Sequence, residues 1–86
     1  MKRDMILIRK ILEYIEGKCQ GDGQLIPVPS LEGYTDNAVC YHVGLCIQAG
    51  YIEGKRQSFV GGSPLYDMVC LTWDGHEKLA ELRKIG

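Results

Sequence analysis

The residue types in this 86-residue chain that can do chemistry are four cysteines, two histidines, and a small polar set within TDNAVCYHVGLCIQAG, residues 35–50. Cys19, Cys40, Cys46 and Cys70 contain no C-x-x-C pair, so the usual spacing of a zinc site is missing. Cys40 and His42 stand two apart on an expected helix and diverge by about 200°, so they cannot share one ion. Free thiols packed among apolar neighbours are the expectation, with no metal and no cofactor. His42 lies on the border of its helix and reads as a packed, hydrogen-bonded residue. No Ser-His-Asp or Cys-His arrangement is signalled. GDG at 21–23 lacks the third glycine of a dinucleotide loop, and VGGSP at 60–64 lacks the lysine of a phosphate loop. The chain is therefore not expected to be an enzyme. What remains is recognition: Asn37 can hydrogen-bond an adenine edge, and Tyr41 or Gln48 can reach a phosphate or a base edge.

These three residues need a helix to hold them. Thr35 is a suitable N-cap and Gly50 a suitable stop. Val39, Val43, Cys46 and Ile47 recur at helical spacing and form its buried side. The opposite side is polar and small, with Asp36, Asn37, Tyr41, Gly44 and Gln48, and Cys40 at its edge. Upstream, Asp4 caps a helix expected to run to Glu16 and stop at Gly17, with Met5, Ile8, Leu12 and Ile15 as its core stripe. Leu7, Ile11 and Tyr14 add a second stripe. The apolar arc is then wider than one packed face requires, which allows either a homodimer contact through those three residues or a helix wedged between two neighbours. LIPV at 25–28 reads as a short strand, confined to a sheet edge by Pro27 and Pro29. Tyr51 to Arg56 and Tyr66 to Thr72 read as two strands of a hairpin with a Gly-rich loop. Thr72 then caps a last helix reaching Lys84, with Leu79 and Leu82 inward.

The order helix, short strand, helix, two-stranded wing, helix defines an α+β fold of the winged helix-turn-helix kind, with the usual second helix shortened to PSLEGY or missing. The whole chain, residues 1–86, reads as a single domain, since one this short buries only about 60–65% of its unfolded surface. No apolar run approaches the roughly 18–20 residues of a membrane span. The basic start MKRDMILIRKIL is interrupted by Arg9 and Lys10 and followed by no cleavage site, so a signal peptide is not expected and a cytoplasmic location is.

In such a fold the helix at 36–49 enters the major groove of double-stranded DNA and the wing lies along the backbone. Charge opposes this. Between Cys19 and Gly54 stand Asp22, Glu32, Asp36 and Glu53 and no lysine or arginine, whereas tight DNA binding neutralises roughly 6–10 phosphates. Cations occur at Lys55 and Arg56 in the wing root and in the amino-terminal arm, which together give about three to five phosphate contacts per chain and call for a dimer. The competing reading is a protein-interaction adaptor, with Phe59 and Val60 at the loop tip as a partner site.

Two stretches carry a resemblance beyond element order. Val39 to Ile52, V-x-x-x-V-x-x-C-I-x-A-G-Y-I, resembles the end of the reading helix in many bacterial winged-helix repressors, and CLTWDGHEKL, residues 70–79, resembles their last wing strand and final helix. Together with MKRDM-LIRKIL, GY and YH, these resemble over nearly the whole chain a family of small bacterial and phage-associated winged-helix proteins described as a domain of unknown function. That resemblance implies the fold and a bacterial or mobile-element origin, and brings no catalytic or binding residues with it.

Overall fold

The computed structural model describes residues 2–21, 23–57 and 65–85, with 55–57, 65–67 and 85 in backbone only. The elements follow in the order α1 (Met5–Lys18), β1 (Ile26–Pro27), α2 (Asp36–Gln48), β2 (Ile52–Gln57), β3 (Leu65–Leu71) and α3 (Trp73–Ile85). The fold is α+β and winged-helix-like: three helices against a three-stranded antiparallel sheet of order β1-β3-β2. β1 is an edge strand, where Pro27 forfeits no ladder bond on its outer side. Leu31–Tyr34, where a further helix was expected to be short or absent, is a single turn closed by Tyr34 N–H to Leu31 O at 3.2 Å.

The caps form as the sequence implies. Asp4 Oδ1 accepts from Ile6 and Leu7 N–H at 2.9 and 3.3 Å, and Thr35 Oγ1 accepts from Ala38 N–H at 3.1 Å. These bonds satisfy donors that a helix start leaves without partners. At the end of α2, Gly50 takes φ +80°, and Tyr51 N–H reaches back to Cys46 O while Gly50 N–H reaches Ile47 O. This is a Schellman ending, and it requires the left-handed conformation that glycine adopts without strain. Gly17 does not stop α1. The helix runs on to Lys18 because Cys19 N–H still bonds Ile15 O at 2.9 Å.

One core joins the layers: Leu7, Ile8, Ile11, Leu12 and Ile15 of α1, Val39, Val43 and Cys46 of α2, Ile52, Met68 and Leu71 of the sheet, and Leu79 and Leu82 of α3. Leu7 and Ile11 are completely buried and Tyr14 is half-buried. The homodimer contact expected at Leu7, Ile11 and Tyr14 is therefore corrected. α1 packs against α2, α3 and β3 at once, and the wide apolar arc is consumed inside the chain. Of the four thiols only Cys46 is fully buried; Cys19, Cys40 and Cys70 are partly exposed.

The two motif stretches form one joint. Thr72 N–H bonds Tyr51 O at 3.0 Å, the Thr72 hydroxyl donates to Gly50 O, and Thr72 Oγ1 caps α3 by accepting from Gly75 N–H at 3.0 Å. A Cβ at Gly75 would overlap the Tyr51 carbonyl oxygen and stand 2.9 Å from its carbon. AGYI and TWDG thus encode the place where α3 lies against the α2–β2 turn.

Candidate nucleic-acid interface

The outward face of α2 takes shape around His42. This imidazole is 2% exposed and makes two hydrogen bonds: Nε2 accepts from Asp4 N–H at 2.9 Å, and Nδ1 lies 2.7 Å from Ala38 O. A carbonyl can only accept and an amide N–H can only donate, so the proton is on Nδ1 and the lone pair on Nε2. The histidine is packed and bonded, as its position on the helix border implies, and it ties the start of α1 to the middle of α2. The Tyr41 ring meets it edge-on at 5.5 Å between centroids.

Tyr41 is 44% exposed, and Asn37 and Gln48 are exposed one turn before and two turns after it. The three share one face by helical spacing. Asp36 is also exposed on the first turn, where Ser30 Oγ donates to its Oδ1 at 3.2 Å. Gly44, counted with that face from the sequence, is buried.

Because Asp4 N–H bonds His42, the arm before it begins at the flank of α2. Arg3 lines a hollow of about 100 Å³ with Leu45 and Ala49 of α2, Tyr51, and Lys78 of α3. Lys2 and Arg3 are exposed, and among the described residues neither has a carboxylate partner. Sequence reading gave this arm a minor part because nothing in the chain order says where it lies; the signal was His42, a polar residue at the edge of an apolar stripe. Lys55 and Arg56 stand in β2, opposite Asp67 and Tyr66, in the strand that leaves the α2 turn. Phe59 and Val60 lie outside the described residues.

Other charges are engaged elsewhere. Arg83 holds Glu16 at 2.8 Å and Glu13 at 3.7 Å, and its charged form is favoured first by the Glu16 hydrogen bond. His76 Nδ1 is 3.9 Å from Glu16 Oε2, a carboxylate partner supplied across the α1–α3 seam that chain spacing did not reveal. The Cys70 thiol donates to Glu53 Oε2 at 3.5 Å, and partial burial followed by that carboxylate pushes its pKa up. Burial pushes the Cys46 thiol up to about 12. Both thiols are held in the unreactive protonated form. Among the described residues no cluster of three or more His, Cys, Asp or Glu is placed to hold a metal ion, and no helix is long and apolar enough to cross a membrane.

A winged-helix-like scaffold with an outward helix and a pinned basic arm is the class that fold and site define. The chain belongs to the family described as "Hypothetical protein (DUF2513)", which it matches over residues 2–85. It is similar to an uncharacterized protein of Haemophilus influenzae, 37% identical over 83 residues, an alignment covering 96% of this chain and 69% of that protein. No solved structure matches.

Proposed function

We propose that this protein is a small DNA-binding regulator that lays the outward face of α2 in the major groove of duplex DNA and holds the flanking phosphates with residues from outside α2. Asn37, Tyr41 and Gln48 contact base edges or phosphates, Lys2 and Arg3 take phosphate on one flank, and Lys55 and Arg56 take it from the wing root. The observation that carries the reading is the Asp4–His42 hydrogen bond. It starts the arm that carries Lys2 and Arg3, neither of which has a carboxylate partner among the described residues, beside a helix that has no lysine or arginine, and so supports the reading. The placement of β2 directly after α2 supports the same division of labour.

Four cations per chain give a weak, salt-steep interaction. Affinity for a random duplex falls in the non-specific range of roughly 10⁻⁴–10⁻⁶ M, with log K against log salt sloping at about −3.5. Fluorescence anisotropy of a labelled duplex, titrated with protein at several salt concentrations, measures both. Flat traces at high protein concentration would favour the second reading, a protein-interaction adaptor without DNA contact, to which the unusual exposure of Trp73 lends support.

A further inference from the structure

The outward ridge of α3 holds a tryptophan largely exposed to solvent. Trp73, the chain's sole tryptophan, is 80% exposed in the first turn of the helix. Leu79 and Leu82 are buried, and helical spacing puts Trp73, Glu77, Ala80 and Lys84 on the opposite side, all exposed. A groove of about 410 Å³ runs along this ridge, with Tyr51, Asp74, Glu77, Ala80 and Lys84 among its lining residues. An indole gains little by standing in water, and its area of about 150–250 Å² is the kind of surface that anchors a protein contact.

The charges on the ridge indicate what covers it. Among the described residues neither Glu77 nor Lys84 has an ion-pair partner. They are seven residues apart, about 10 Å along the axis, so they cannot neutralise each other within one helix. A second α3 laid antiparallel across the ridge does what the single chain cannot. With a two-fold axis between residues 78 and 79, Trp73 stands level with the partner's Lys84 and Glu77 level with the partner's Ala80, about 6 Å along the axis from the partner's Lys84 and within reach of its long side chain. The acidic beginning of each helix then meets the basic end of the other, and the contact is self-complementary as a two-fold interface must be. Aligned parallel, the same ridges would set like charges together.

From this geometry we infer that α3 is a homodimer surface, with Trp73 of each copy packed on the Lys84 stem of the other and Glu77 paired with Lys84 across the axis. Two indoles and two short helical ridges make a small interface, in the class below about 1,200 Å² that forms transiently. The dimer does not depend on the DNA reading, and is measured without nucleic acid.

The test uses the full chain in sedimentation equilibrium, with acrylamide quenching of Trp73 fluorescence over the same concentrations. The expected result is a rise from monomer to dimer mass accompanied by falling quencher access. Trp73→Ser is expected to weaken dimerisation at least about tenfold with an unchanged circular dichroism spectrum. Glu77→Lys and Lys84→Glu are each expected to disfavour the dimer, and the double swap to restore it. A monomeric mass with full quencher access at the highest concentration overturns the inference, as does a dimer indifferent to Trp73→Ser. A double swap that fails to recover the dimer overturns the antiparallel arrangement.

Discussion

The outward faces of α2 and α3 point away from one core and are built on different terms. The α2 face carries Asn37, Tyr41 and Gln48 and no lysine or arginine, and the basic arm beside it is joined to His42 through Asp4. The α3 ridge carries its own charges of both signs around an exposed indole. A polyanion selects for the first arrangement, because phosphates need cations near a polar surface and tolerate their arriving from several elements. A protein surface selects for the second, because a desolvated aromatic anchor with charges at its rim gives both adhesion and register. The two proposals thus assign surfaces of different chemistry to one small fold.

The predictions separate what supports both faces from what supports one. Ile11→Ala removes a fully buried side chain from the α1 stripe behind both faces, and is expected to cost about 2–5 kcal/mol in urea unfolding. An exposed dimer residue at that position would show almost no loss of monomer stability, so this measurement also checks the corrected role of the α1 stripe. Gly75→Ala acts at the joint where α3 meets the α2–β2 turn. The new methyl group collides with the Tyr51 backbone carbonyl, and the expected cost of about 1–3 kcal/mol lowers the thermal midpoint by several degrees or more. His42→Leu acts on the α2 side. It strands the Asp4 amide for about 1–3 kcal/mol, while the Ala38 carbonyl keeps its helical bond, and trypsin cleavage after Arg3 is expected to accelerate beyond what the stability change explains. The last effect is one of pH. Cys46 has its folded pKa raised from 9.0 to about 12 by burial. The neutral thiol thus favours the folded state fully below pH 9, and that contribution is lost as pH rises toward 12. Urea midpoints are expected to fall between pH 9 and 11 in the wild type, and to fall less steeply in Cys46→Ala.

Caps, turns and core positions were readable in the sequence because they are local. Asp4, Thr35, Thr72 and Gly50 act within a few residues of themselves, and the spacing of Val39, Val43 and Cys46 fixes a face without knowledge of what lies against it. The dimer expectation at Leu7 and Ile11 failed for the complementary reason. An apolar arc states how much surface must be covered and not by what, and here α2, α3 and β3 all supply the cover. The arm was readable only as composition, since the bond that places it joins residues 38 positions apart. Trp73 was available to a helical wheel, where it falls opposite Leu79 and Leu82. It passed unnoticed because a tryptophan beside a strand end is ordinarily taken for core. The resemblance in AGYI and LTWDGH pointed to the family and, in the structure, to a joint between elements.

In the proposed function His42 holds beside α2 the cations that the helix lacks, and the salt dependence of duplex binding in a double-mutant cycle of His42→Leu with Lys2→Ala/Arg3→Ala measures this. Removing the two cations is expected to flatten the slope of log K against log salt by about 2. His42→Leu is expected to produce much of the same loss, and little further once the cations are gone. Additive losses in the two variants, or a slope that neither changes, would contradict the account.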